Sequence, residues 1–210
     1  MKNNLTLTPG GPKWKRFRAI WLIAIVLVCG SAWLYFDYRF PSWNEEVMLS
    51  DGRLLSVHRR HEYIEGYGVR RTWLTFSLPE MGGRQTWTEW MYPAIVDVND
   101  GKVYVVGYAP GFKQFSSYLN PRYLLVAYVW NGTSFARIPL LSVPEKIRQQ
   151  WNVLPCSSRG EFTTSNAKKS GWCGQSGTYE LGVTREINLI RLEAIARRTA
   201  SIYNESTFSE

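Results

Sequence analysis

The feature that most constrains this chain is an uncharged apolar run from Ala19 to Phe36, which reads AIWLIAIVLVCGSAWLYF. As a helix its 18 residues would extend about 27 Å, close to the roughly 30 Å hydrocarbon core of a bilayer. The flank before it carries Lys2, Lys13, Lys15, Arg16 and Arg18 and no acidic residue. The positive-inside rule therefore puts the N-terminus in the cytoplasm and the bulk of the chain on the other side.

The same run has a second reading as a cleaved signal, with Gly30-Ser31-Ala32 as the small-residue cleavage site. A retained anchor is the expectation adopted here. The apolar run continues past Ala32 through Trp33, Leu34, Tyr35 and Phe36, and aromatics stand at both ends: Trp14 and Phe17 inside, Tyr38, Phe40 and Trp43 outside. Trp and Tyr rings favour the membrane–water interface because they are apolar with a polar edge. Lipidation at Cys29 is disfavoured by the bulky Val28 before it. The expected organisation is a basic tail over 1–18, a signal-anchor helix over 19–36, a juxtamembrane aromatic segment over 37–43, a β-rich extracytoplasmic domain over 44–203 and a frayed tail over 204–210.

Charge bears on partners. The net charge is +8, but the five N-terminal cations account for most of it; from Asp37 onward 20 Lys plus Arg face 17 Asp plus Glu, a balance of +3. The basicity is thus mainly a topology signal, and no nucleic-acid partner is expected, since that would need a basic stripe in the domain itself. The bilayer is the expected partner of Ala19–Phe36, and a protein in the cell envelope the expected partner of the domain.

Cys156 and Cys173 flank a polar stretch, SSRGEFTTSNAKKSGW, that has no apolar periodicity. In an oxidising compartment a Cys156–Cys173 disulfide would pin that loop, with a stabilisation of about 3 kcal/mol on the loop-entropy model. Zinc finds no support, because no CxxC pair or neighbouring His accompanies them.

The distal part reads as mainly β (α+β): an antiparallel β-meander or sandwich with a C-terminal amphipathic helix. Asp51-Gly52, Asp100-Gly101 and Asn131-Gly132 each separate two runs rich in Val, Leu, Ile and aromatics. Asx-Gly pairs supply the positive φ values that tight hairpins need. Val69 to Leu78 is a further strand, Gln85 to Met91 a weaker one. Leu124 to Trp130 is apolar throughout, as in a central strand covered on both faces. Pro144 to Gln150 suits a short helix. Ile187, Ile190, Ala194 and Ile195 recur at helical spacing after an N-cap at Thr184, and Glu193 and Arg197 form an i,i+4 pair.

The stretch Ala94 to Leu140, with its Asp-Gly, Tyr-Val-Val-Gly, Trp-Asn-Gly and Ile-Pro elements, resembles single-pass envelope proteins of proteobacteria with a β-rich extracytoplasmic domain. The resemblance implies a location and a style of fold. It brings no activity, cofactor or catalytic residue.

Motifs of chemistry are sparse. His58 and His61 lie three apart, so on one strand they would point to opposite faces and could not chelate together. Ser165-Asn166-Ala167-Lys168 and Lys169-Ser170-Gly171 match two motifs of penicillin-recognising enzymes, but they abut where the family keeps them far apart. There is no G-x-S-x-G, and Gly66-Tyr67-Gly68 lacks the glycine and strand–helix context of a phosphate loop. Glu62 and Glu65, or Asp97 and Asp100, are carboxylate pairs with nothing to show convergence. No catalytic residue or metal ligand is assigned.

Aromatics are the one excess, with ten Trp in the chain. Trp87 and Trp90, in the polar stretch RQTWTEWMY, are the candidate exposed rings for a sugar or a protein partner. Trp130 is expected in the core. Arg59, Arg60, Arg70 and Arg71 could face an acidic partner or serve as solvated strand edges. The functional expectation is an extracytoplasmic protein-interaction domain; the alternatives are a glycan-binding module using exposed Trp, and a hydrolase of envelope polymers. Asn131-Gly132-Thr133 and Asn204-Glu205-Ser206 are glycosylation sequons, of which the first is already explained by a hairpin.

Overall fold

The computed structural model describes residues 13–64, 68–109, 111–148, 150–153, 160–162, 185–186 and 189–202. The chain divides into two compact units, Met1–Tyr38 and Arg39–Glu210. Cys156, Cys173, Glu65, Thr184 and Ile187 lie outside the described residues, as does the 204–210 tail.

Helix α1 runs from Lys13 to Arg39 and overruns the apolar sequence at both ends. Within its Phe17–Arg39 portion the most apolar 18-residue window has a mean hydropathy of 2.2 and no buried residue, so it is long and apolar enough to cross a membrane. Apolar side chains stand on all sides of it, as a lipid-facing helix requires. Cys29 is a free, exposed thiol on this helix.

The second unit is mainly β and contains two main sheets and a small two-stranded one. Strands β1 (Ser42–Met48), β2 (Leu54–Ile64), β3 (Gly68–Leu78) and β4 (Gly83–Glu89) form an antiparallel meander. Strands β5 (Tyr92–Asn99), β6 (Lys102–Tyr108), β7 (Leu125–Trp130) and β8 (Phe135–Ile138) form a second one, with α2 (Phe112–Ser117) between β6 and β7. All three Asx-Gly pairs make the predicted hairpins, β1–β2, β5–β6 and β7–β8. At the second, Asp100 and Gly101 have φ of 49° and 71°, the two left-handed residues of a tight hairpin turn. Beyond β8 come α3 (Glu145–Arg148), β9 (Gln150–Trp151), β10 (Gly160–Phe162), β11 (Arg185–Glu186) and α4 (Leu189–Ile202). Strand β10 adds to the first sheet in parallel with β1, and β11 pairs with β9.

Inward-facing residues follow the strand period of two. Val47, Leu55, Val57, Leu74, Phe76 and Trp87 of the first sheet pack against Val96, Val98, Val103, Val105, Val126 and Tyr128 of the second. The other face of the second sheet is covered as well: Ile95, Tyr104, Val106, Leu125 and Ala127 meet Leu140, Val143 and Ile147, with Leu189 and Leu192 of α4 alongside. This double burial explains why β7 reads as continuously apolar. Its last residue, Trp130, is partly buried against the core. Asn152 stitches the layers together by exchanging hydrogen bonds with both the N–H and C=O of Val96 and donating to Met48 C=O at 2.9 Å.

Two expectations need correction. Trp43, expected at a membrane interface, is buried in β1, because alternation sends residues 43, 45 and 47 inward together. In α4 the packed face is Leu189, Leu192, Ala196 and Ala200, whereas Ile190 is 83% exposed and Ala194 and Ile195 are also exposed. The isoleucine spacing matched a helical period but the wrong stripe. The Glu193–Arg197 pair is present at 2.6 Å, and Arg122 joins it at 3.2 Å.

Candidate functional site

Three groupings of side chains stand apart from the apolar core. The first is buried. Arg59 and His61 alternate inward on β2 beside Trp43 and Glu45 of β1, extending the core with polar groups. Arg59 Nε donates to His61 Nε2 at 3.0 Å, its guanidinium approaches Glu45 at 3.6 Å, and it stacks over the Trp43 ring at 5.0 Å. Trp43 Nε1 donates to Glu45 Oε2 at 3.2 Å. The His61 ring is edged by Trp43, Tyr63 and Tyr92. Burial, and then the neighbouring Arg59 charge, holds the His61 pKa well below that of a free imidazole. Burial also lowers the Arg59 pKa, against the opposing pull of Glu45.

This overturns the reading of Arg59 as a surface cation: adjacent strand residues face opposite ways, so Arg59 and Arg60 cannot share a face. His58 is on the outer face, where Nδ1 meets Asn44 Oδ1 at 2.9 Å, while His61 is inside. The two therefore do not converge. Among the described residues no group of three or more His, Cys, Asp or Glu could hold a metal ion.

The second grouping lies on the outer face of the first sheet. Arg60 stacks over Phe40 at 5.0 Å and over Trp73 at 5.2 Å, and Arg71 covers the same Trp73 ring at 5.6 Å. Arg60 and Trp73 are direct cross-strand partners, and Arg60 is also opposite Ser42, the first residue of β1. Glu62 pairs with Arg70 and Arg39, each at 3.5 Å. Both Arg70 and Arg71 are exposed although adjacent. A β-bulge allows this: Glu62 pairs with Arg71 and Tyr63 with Val69, leaving Arg70 as the extra residue. These arginines lie on β2 and β3, interior strands of the sheet, so protection of a strand edge does not explain them.

The third grouping links β4 to the segment after α2. Tyr118 donates its hydroxyl to Glu89 Oε2 at 2.7 Å and accepts from Trp90 N–H at 2.9 Å. Burial and the Glu89 carboxylate push the Tyr118 hydroxyl far up, and Tyr128 likewise. Trp90 Nε1 and Gln114 Nε2 both donate to Val69 C=O. After Tyr118 the chain turns through Leu119 and Asn120 at φ of 60° and 54°. A groove follows, whose lining combines Pro121, Tyr123, Ile138 and Leu141 with the cations Arg122 and Arg137. Leu141 is exposed, and Leu119, two residues before Pro121, is 67% exposed.

Trp87 and Trp90 do not form an exposed platform. Trp87 is 1% exposed, edge-on to Tyr128 and set over Gly107. Trp90 is half-buried, with its indole N–H committed to Val69. Polar neighbours in RQTWTEWMY suggested exposure, but alternation along β4 puts Trp87 on the core side. Asp97 and Asp100 do not pair across a cleft either: Asp97 is buried and accepts from Ser50 and Val98, while Asp100 occupies its hairpin turn. Burial raises the Asp97 pKa.

Sequence reasoning missed Glu45, Trp43 and the Glu89–Tyr118–Tyr128 group. The first two were recoverable from alternation in WNEEV; the last depends on contacts across 29 residues and more. The features together define a β-domain of two main sheets with a cationic–aromatic outer face and a groove lined by apolar and cationic side chains. No protein family, curated protein sequence or solved structure matches the chain.

Proposed function

We propose that this chain is a single-pass membrane protein, anchored by α1 with its N-terminus in the cytoplasm, whose extracytoplasmic β-domain binds a protein partner in the cell envelope. The basic N-terminal flank supports the orientation through the positive-inside rule. A Cys156–Cys173 bridge would suit the oxidising side, and the envelope-protein resemblance of Ala94–Leu140 agrees with it.

The observation that carries a protein partner is Leu119. It is a large apolar side chain, 67% exposed, in a left-handed conformation that its Cβ disfavours, two residues before Pro121, which lines a groove that a second exposed leucine, Leu141, shares with Arg122 and Arg137. Strain of this kind at a β-carbon costs of the order of 1 kcal/mol, and the exposed side chain recovers little of it by packing. A functional contact is the natural reason for leucine at that position, since covering an exposed leucine side chain with a partner is favourable by about 1.5–3 kcal/mol. Capture of the tagged full chain from detergent-solubilised membranes, compared with Leu119→Asn and Leu141→Asp, tests the reading. A partner recovered with the parent chain and lost with both variants supports it. Equal recovery with all three chains, or no stable partner, contradicts it.

A further inference from the structure

We propose that the outer face of the first sheet, through Arg60, Arg70, Arg71, Trp73 and Phe40, rests on the anionic phosphate headgroups of the bilayer that holds α1. The proposal depends on the reading of α1 as a membrane span. Phe40 and Pro41 alone separate the last residue of α1 from the first of β1. Three Cα steps bound the separation of Arg39 and Ser42 at about 11 Å. Arg60 is the direct cross-strand partner of Ser42 and Trp73 the partner of Arg60, so each lies one further strand spacing of roughly 5 Å away. The covalent chain therefore keeps this rung within reach of the headgroups.

The chemistry suits phosphate. The Arg60 and Arg71 guanidinium groups stand 5.0–5.6 Å from the Phe40 and Trp73 ring centroids, and arginine's planar fork of donors matches phosphate bidentately. Trp73 belongs to a residue type that settles at the headgroup level. Glu62, the carboxylate within the group, is already paired with Arg39 and Arg70, which leaves the patch with excess positive charge. The bulge at Arg70 matters because without it Arg70 and Arg71 would face opposite sides. Since both strands are interior to the sheet, the charges are not there to block edge pairing.

Depth-resolved quenching of tryptophan fluorescence tests this on the full chain in nanodiscs. One set is made of phosphatidylcholine and a second contains phosphatidylglycerol in addition. Each carries a quencher either in the acyl chains or on the headgroup, and subtraction of Trp73→Phe isolates Trp73. Acyl-chain quenching of Trp21 and Trp33 in both lipids reports the span independently, and its absence would sink the membrane reading itself. With the span in place, headgroup quenching of Trp73 should appear with phosphatidylglycerol and fade at high salt. Substituting Arg60, Arg70 and Arg71 together by Gln should weaken the effect about a hundredfold in lipid dependence, at roughly fivefold per arginine. Quenching of Trp21 and Trp33 without lipid-dependent quenching of Trp73 overturns the docking proposal and leaves the anchor standing.

Discussion

Arg59 donates its Nε–H to Nε2 of His61 at 3.0 Å, with both side chains at 0% exposure between the sheets. The contact fixes the tautomer: Nε2 must be the acceptor, so the ring proton is on Nδ1, next to the Tyr63 hydroxyl at 3.3 Å. A second proton would set an imidazolium against a guanidinium in a site shielded from bulk solvent.

A pH dependence follows from that geometry. Burial first, and Arg59 second, hold the folded His61 pKa well below 6.5, its ordinary value. Between the lowered value and 6.5 the unfolded chain binds the extra proton and the folded chain does not. The stabilisation is therefore fully present above 6.5 and is lost as pH falls toward the folded value, with a slope of up to about 1.4 kcal/mol per pH unit. Denaturation of the full chain in detergent at pH 7 and pH 5 should show the loss. His61→Gln, which can still accept from Arg59 but does not titrate, should show a smaller one.

Removing one member of the buried ion pair should be worse than removing both. Arg59→Met leaves Glu45 buried without its cation, a loss of about 3–5 kcal/mol. The double variant Glu45→Leu with Arg59→Met should recover much of this, because neither charge is then desolvated. Denaturation midpoints of the two single variants and the double one give the coupling directly.

Trp87 and Trp73 should respond oppositely to truncation. Trp87→Ala empties a core position and should lower stability by about 3–5 kcal/mol. Trp73→Ala removes a half-exposed ring from the outer face and should cost well under half as much. Equal losses would contradict the assignment of Trp87 to the core and Trp73 to the surface.

Gly107 is where β6 passes beneath Met91 and Trp87, and a Cβ there would run into the Met91 side chain. Gly107→Ala should destabilise by about 1–3 kcal/mol through overpacking. Met91→Ala in the same chain should relieve part of it, read as non-additivity of the two midpoints.

Leu119 should show a divergence between stability and binding. Asn tolerates the left-handed conformation, so Leu119→Asn should leave stability unchanged or raise it by up to about 1 kcal/mol. Partner capture should fall with the same substitution.

Local chemistry made much of the fold readable. Each Asx-Gly pair marked its hairpin, with positive φ at both residues of Asp100-Gly101 and at Gly52 and Gly132 alone in the other two, and the uniform apolarity of β7 revealed cover on both faces. Non-local geometry hid the rest. Arg59–Arg60 and Arg70–Arg71 are both adjacent basic pairs, yet alternation buries one member of the first, while a bulge exposes both members of the second. Trp87 looked exposed because its sequence neighbours are polar, but its partners Tyr128 and Gly107 come from another sheet. The groove likewise joins residues near 121 to residues near 139, which no local pattern connects.

The most direct measurement is topology in sealed spheroplasts. An impermeant protease is added from outside to spheroplasts, whose outer membrane has been opened and which carry a C-terminally tagged full chain, and the membranes are then extracted with alkaline carbonate. An anchored extracytoplasmic domain predicts a tag accessible from outside on a full-length chain that stays with the carbonate-resistant membranes. A tag protected until the membrane is opened, or a chain released by carbonate, would contradict it.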